Sequence, residues 1–215
     1  MKESKRKFLK MGLGAVAIGV SSKAVAICTG ATTAAQPSGP FYPENDQADK
    51  DNDLTWVKGG QVAAEGEVII IAGKVQDKSC APVVGALVEI WQACHTGKYN
   101  HSADPNNAEL DENFQYWGRA ITNEKGEYDF KTIMPGAYPA SRDWVRPSHI
   151  HCRIQRRGYE ELTTQIYFKG SEHLESDRLF LSIPRSERDS VVVDLKDNSE
   201  GPRAGIFDIT LSEVR

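Results

Sequence analysis

The chain has 215 residues, with 26 basic against 30 acidic side chains and a formal net charge of −4. An acidic balance repels phosphate backbones and argues against a nucleic-acid partner. Its four cysteines show no CxxC spacing and so do not suggest a zinc site.

Residues 1–26 read as an export signal peptide. Lys2, Lys5, Arg6, Lys7 and Lys10 make a basic start, an apolar stretch runs from Met11 to Val20, and Ala24-Val25-Ala26 offers a small-residue cleavage site. The apolar stretch is about half the length that spans a bilayer, so no stable membrane anchor is expected. Ser4 to Lys10 (SKRKFLK) resembles the twin-arginine export signal, with lysine in the first arginine position; an ordinary secretory signal is the alternative. Twin-arginine export carries folded proteins to the periplasm or beyond. Cleavage after Ala26 removes six basic and one acidic residue and leaves a formal charge of −9. Cys28, Cys80, Cys94 and Cys152 are all retained, and an oxidising compartment would allow them two disulfides in any of three connectivities.

Residues 27–65, rich in Ala, Thr, Pro, Asn, Asp and Gly, read as an extended N-terminal arm or linker. A single β domain is expected over 66–215. The β-branched run at 68–75 opens it, and 86–91 follows after a turn. Segments 119–122 and 127–132 flank Asn123-Glu124-Lys125-Gly126, read as a hairpin loop. Further strands are expected at 149–155, 162–168, 190–195 and 206–211. Short strands, frequent turns and no convincing long helix predict an all-β fold, an antiparallel β-sandwich. Gly85 to Val88 followed by Thr122 to Phe130 (TNEKGEYDF) resembles transthyretin-like sandwich modules. The polar stretch from Asn100 to Gly118 is expected to be a long functional loop.

Chemistry concentrates in Ser148-His149-Ile150-His151-Cys152-Arg153-Ile154, where polar and apolar residues alternate. On a strand His149 and His151 share a face, roughly 6.6 Å apart, while Ile150, Cys152 and Ile154 point into the core. Two tyrosines lie in glycine-marked loops, Gly97-Lys98-Tyr99 and Pro135-Gly136-Ala137-Tyr138-Pro139. A phenolate is a hard anionic donor suited to Fe(III). Two phenolates, two imidazoles and a hydroxide would balance the ferric charge.

With these residues in view, the chain resembles the intradiol ring-cleavage dioxygenases, especially the protocatechuate 3,4-dioxygenase type. Five blocks carry the resemblance: Gly39-Pro40-Phe41-Tyr42, Leu87 to Tyr99, Gly118 to Tyr138, Arg146 to His151, and Thr164 to Phe168. It implies a ferric ion held by Tyr99, Tyr138, His149 and His151, with Tyr138 as the phenolate that substrate displaces. Arg146 and Gln165 would face the bound catecholate, with Gly39 and Pro40 at the pocket rim; Trp144 is a pocket candidate from its place near the ligand strand. The implied reaction inserts O2 between the two hydroxyl-bearing carbons of a catechol-type aromatic and yields a cis,cis-muconate-type product. A homo-oligomer and an unlike partner chain are both compatible with the resemblance.

Other readings compete residue by residue. Tyr99 and Tyr138 would serve equally as loop aromatics, Arg146 as a surface partner of Asp143, and Gln165 as a strand-face residue. His95, His101 and His173 read as solvated or loop-ordering, and Trp91 and Trp117 as core. A transthyretin-like binding or spacer module is the main alternative function. A cupin-type metal site would need a glutamate soon after His151, where this chain has Arg153 and Gln155.

Overall fold

The computed structural model describes residues 30–47 and 49–214. The export signal expected at 1–26 lies outside the described residues. The β-branched run becomes β1 (Val68–Asp77), in which Ile69, Ile71 and Val75 are fully buried. This period of two gives the strand one core face.

Two five-stranded sheets pack face to face. One contains β1, β4 (Glu127–Ile133), β10 (Lys196–Asn198), β11 (Gly201–Ile206) and β12 (Ile209–Leu211). The other runs in the order β3 (Trp117–Ile121), β2 (Leu87–Trp91), β7 (His149–Gln155), β8 (Leu162–Phe168) and β9 (Val192–Val193). Between them lie Ile69, Ile71, Val88, Ile90, Phe130, Ile150, Ile154 and Ile166, all buried. Each such side chain contributes roughly 1.5–3 kcal/mol on burial. The all-β sandwich is therefore the observed fold.

Several local expectations differ. The turn at 123–126 does close, with Gly126 N–H donating to the Asn123 carbonyl at 2.9 Å. It joins no hairpin, because β3 pairs with β2 and β4 pairs with β1 in the opposite sheet. Buried Thr122 fixes the crossing point: its Oγ1 accepts from Ala86 N–H and donates to the Val83 carbonyl. The strand expected at 206–211 is split at Phe207, whose N–H donates to Ala72 O at 2.8 Å. Both pieces, β11 and β12, run parallel to β1, and β9 runs parallel to β8. The strand expected at 190–195 shrinks to β9, preceded by a 3-10 turn at Arg188–Val191. A small hairpin of β5 (Tyr138–Ser141) and β6 (Trp144–Arg146) and a short helix α1 (Arg178–Ser182) were not foreseen.

The arm is bound to the sandwich along its length. Thr33 exchanges hydrogen bonds with Thr210, Gln36 N–H donates to Thr163 O at 2.8 Å, and Thr164 Oγ1 donates to Ala34 O. Further on, Leu54 is fully buried and donates its N–H to Lys131 O. Cys80 is disulfide-bonded, whereas Cys94 and Cys152 are buried free thiols. Among the described residues no helix is long and apolar enough to cross a membrane.

Candidate metal and substrate site

The alternation in β7 does what the sequence predicts. Ile150, Cys152 and Ile154 enter the core, while His149 and His151 project from the outer face with ring centroids 5.0 Å apart. The residues beside them follow from register: Trp91 and Gln165 flank His151, and Tyr167 flanks His149. Trp91 stacks on His151 at 5.0 Å and 7° between planes, fixing that ring.

His149 Nδ1 lies 2.7 Å from the Pro147 carbonyl. A carbonyl only accepts, so the proton sits on Nδ1 and the Nε2 lone pair is left free. That Nε2 is buried without a partner, as are His151 Nδ1 and the Tyr99 hydroxyl. Burial, reinforced by the Arg146 charge, holds His149 well below its usual pKa and lowers His151 to about 3. Both imidazoles are thus neutral donors at ordinary pH.

The two tyrosines meet the histidines. Tyr99 packs edge-on to Tyr138 at 5.5 Å and lies 6.2 Å from the His151 ring, and Tyr138 is 5.7 Å from His149. Their loops are stapled together by backbone: the Cys94 carbonyl accepts from both Gly97 and Gly136 N–H groups. A Cβ on Gly136 would lie 2.4 Å from Gly97 N, and one on Gly97 would lie 2.5 Å from Ala137 O. Only glycine permits this approach. Burial raises both phenol pKa values; Tyr138 also raises that of Tyr99, while Arg146 opposes the rise at Tyr138.

Arg146 stands directly across the β5–β6 hairpin from Tyr138. It is buried and pairs with buried Asp177, Nε to Oδ1 3.0 Å, not with Asp143, which bonds exposed Arg178 instead. Its Nη2 donates to Gln165 Oε1 at 2.6 Å, and Gln165 Nε2 donates to Pro37 O at 2.9 Å. The amide of Gln165 is thereby oriented on both sides. Trp144 is half-buried, its indole N–H donating to Asp177 Oδ1 at 3.0 Å and its ring lying under the Arg146 guanidinium. Gly39 sits against His151: a Cβ there would lie 3.1 Å from the ring Cε1. Pro40 is exposed beside it.

Asp177, Phe41 and Tyr167 complete the site and were not foreseen. Asp177 also caps α1 through Phe180 N–H, and Asp followed by RLFLS is a readable helix start. Nothing local reveals its bond to Arg146. Tyr167 shares a strand face with Gln165, so alternation alone could have placed it. His101, read as loop-ordering, packs 5.6 Å from Phe41 and accepts from Ala103 N–H.

Among the described residues no three His, Cys, Asp or Glu side chains gather around one point. Any ion held here therefore relies on phenol oxygens as well as imidazole nitrogens. Free buried lone pairs and two hard oxygen donors fit a ferric ion and suit soft metals poorly.

A family model described as Dioxygenase matches residues 38–213. The protocatechuate 3,4-dioxygenase beta chain of Burkholderia cepacia is 40% identical over 181 residues, covering 80% of this chain and 76% of its own. The chain belongs to the intradiol ring-cleaving dioxygenases. The intradiol ring-cleavage dioxygenase prcA of Aspergillus niger is 32% identical, and this dioxygenase spans only 49% of its length. Among solved structures, the dioxygenase domain of a carbohydrate-binding fusion protein from Streptomyces sp. SirexAA-E superposes with a TM-score of 0.64 at 28% identity. That match covers 86% of this chain and 100% of the other.

Proposed function

We propose that this protein is an exported Fe(III) intradiol dioxygenase. It opens a catechol-type ring between the two hydroxyl-bearing carbons and releases a cis,cis-muconate-type product. Catechol plus O2 accounts for every atom of that product, so no external reductant is needed. The observation that carries this reading is the meeting of two buried phenols with two neutral imidazoles, with His149 Nε2, His151 Nδ1 and the Tyr99 hydroxyl all buried without a protein partner.

Tyr99, Tyr138, His149 and His151 would hold the ion, which when bound supplies hard Lewis acidity that draws the catechol oxygens and activates the ring towards O2. The rest falls to the chain. Tyr138 would be ionised by the bound ion, and its Oη would then serve as the proton acceptor for an incoming hydroxyl. Arg146, a permanent cation across the hairpin from Tyr138, stabilises negative charge developing on the substrate. Gln165, Tyr167 and Asp177 keep that guanidinium in place. Gly39, Phe41 and Trp91 close the surroundings of the donors and exclude water.

Export rests on the leader-like residues 1–26, and the disulfide at Cys80 supports it, since such bonds persist in oxidising compartments. The Burkholderia relative is named a beta chain, which supports assembly with further copies or an unlike chain. Visible absorption of the concentrated pure protein, with metal analysis and oxygen uptake, tests the function. Phenolate-to-iron charge transfer should colour it red to burgundy, and catechol should change the colour. A colourless, zinc-loaded protein that consumes no oxygen would remove the reading.

A further inference from the structure

We infer that Gln36, on the N-terminal arm, is a positioning residue for ring cleavage: it takes the Tyr167 hydroxyl proton and so reserves for Arg146 the acceptors that hold its guanidinium. The inference rests on the dioxygenase reading and adds a residue to it. Gln36 precedes the family-matched stretch 38–213.

Backbone carbonyls fix which way each amide points. Gln36 is buried, its backbone N–H donating to Thr163 O at 2.8 Å and its side-chain Nε2 to Leu179 O at 3.4 Å. A carbonyl only accepts, so Oε1 is the amide atom left for Tyr167, 2.8 Å from the hydroxyl. Gln165 is set in the same way by the next arm residue. Its Nε2 donates to Pro37 O, which turns its Oε1 to Arg146 Nη2 at 2.6 Å. Two consecutive arm residues thus orient both amides around the guanidinium.

Tyr167 is fully buried, and its hydroxyl has one proton to give. Arg146 Nη2, 3.4 Å away, is a donor only and takes none. Besides Gln36, the hydroxyl faces Gln165 Oε1 at 3.3 Å and the Asp177 carboxylate. Both of those hold Arg146, and Asp177 serves the Trp144 indole and the Phe180 N–H as well. Sent to Gln36, the proton leaves both groups to the guanidinium and leaves the Tyr167 oxygen free to accept from Nη2. Without Gln36 the proton turns to an acceptor on which Arg146 depends. The cation then loses the fixed direction that stabilising developing charge requires.

The test measures kcat and KM for catechol, iron content and the visible band of the iron-loaded full chain. It compares wild type, Gln36→Met, Tyr167→Phe and the double variant. Methionine fills the space of Gln36 and leaves its backbone N–H for Thr163, but it carries no oxygen; Gln36→Ala takes its place if that protein does not fold. Gln36→Met should keep the iron and the band, hold KM within about twofold and lower kcat about five- to tenfold. In the Tyr167→Phe background there is no hydroxyl proton to place, so the same substitution should lower kcat by less than about twofold. An equal fall in both backgrounds would show that Gln36 acts through the shape of the arm and would overturn the inference. Wild-type kcat in Gln36→Met, or loss of its iron and band, would overturn it too. A wild type with neither the phenolate colour nor oxygen uptake would overturn the function beneath and the positioning role with it.

Discussion

Arg146 and Asp177 lie 31 positions apart in sequence and form a buried ion pair at 3.0 Å. The carboxylate has two further duties, accepting from the Trp144 indole and, as the cap of α1, from the Phe180 N–H. A pair of this kind costs most when one half is removed, because the survivor is left charged and dry. Asp177→Ala should therefore destabilise the protein by about 3–5 kcal/mol in urea unfolding. Asp177→Asn keeps a capping oxygen, so it should lose less stability while still impairing turnover through a displaced Arg146.

The glycine staple gives a second prediction. Gly136→Ala forces a methyl to within 2.4 Å of the Gly97 nitrogen and the His95 carbonyl oxygen. Backbone must move, at a cost of about 1–3 kcal/mol. Because the staple sets the distance between Tyr99 and Tyr138, the variant should also lose iron and the visible band. Metal content per folded protein, with circular dichroism as the folding control, checks this. An iron-replete Gly136→Ala protein would show that the loops adjust independently.

Tyr138→Phe should retain iron on the other three side chains and shift the charge-transfer band, while kcat falls through loss of the proton acceptor. Wild-type turnover would mean that another group receives the proton.

Asp77 makes a pH prediction away from the site. It accepts from the Ser79 hydroxyl at 2.7 Å and from the Ser79 and Ala81 N–H groups, shaping the turn that carries disulfide-bonded Cys80. The Ser79 hydroxyl bond is the chief cause that lowers its pKa below the ordinary value. A carboxyl with a lowered folded-state pKa adds stability that is complete above its unfolded pKa and is lost as pH falls through the folded value. The stability gap between wild type and Asp77→Asn should thus be constant near neutrality and close in acid. A gap that widens below pH 4 would contradict the sign.

Gly39 tests the arm. Its φ is +68° and its Cα faces the His151 ring. Gly39→Ala should displace the ring or lift the arm, lowering kcat/KM with little change in the unfolding midpoint of the sandwich. An unaltered kcat/KM would show that the arm does not position His151.

Strands with a strict period were legible in the sequence, and the four side chains expected to serve as ligands, Tyr99, Tyr138, His149 and His151, do lie together. In β7 alternation separated Ile150, Cys152 and Ile154 from His149 and His151 without any knowledge of neighbours. Partners in space were not legible. The same turn chemistry at 123–126 serves a hairpin or a sheet-to-sheet crossing, and only the tertiary pairing of Thr122 with Val83 and Ala86 distinguishes them. The split at Phe207 depends on β1, more than a hundred residues earlier, and no local signal marks it. Arg146 had a nearby acid in Asp143, but the low-dielectric interior favours the buried Asp177. Phe41 lies in a stretch without periodicity, so its place against Tyr99 and Tyr138 is set by where the arm is tied down.

The bonds between Thr33 and Thr210 bear on biosynthesis. The strip that shields His151 is secured by a strand made 177 positions later. A nascent chain still on the ribosome has all four donors available well before it can shelter them. A chain that ends before the C-terminal strands therefore lacks this anchor of the strip over His151, although it already carries all four side chains proposed as iron ligands.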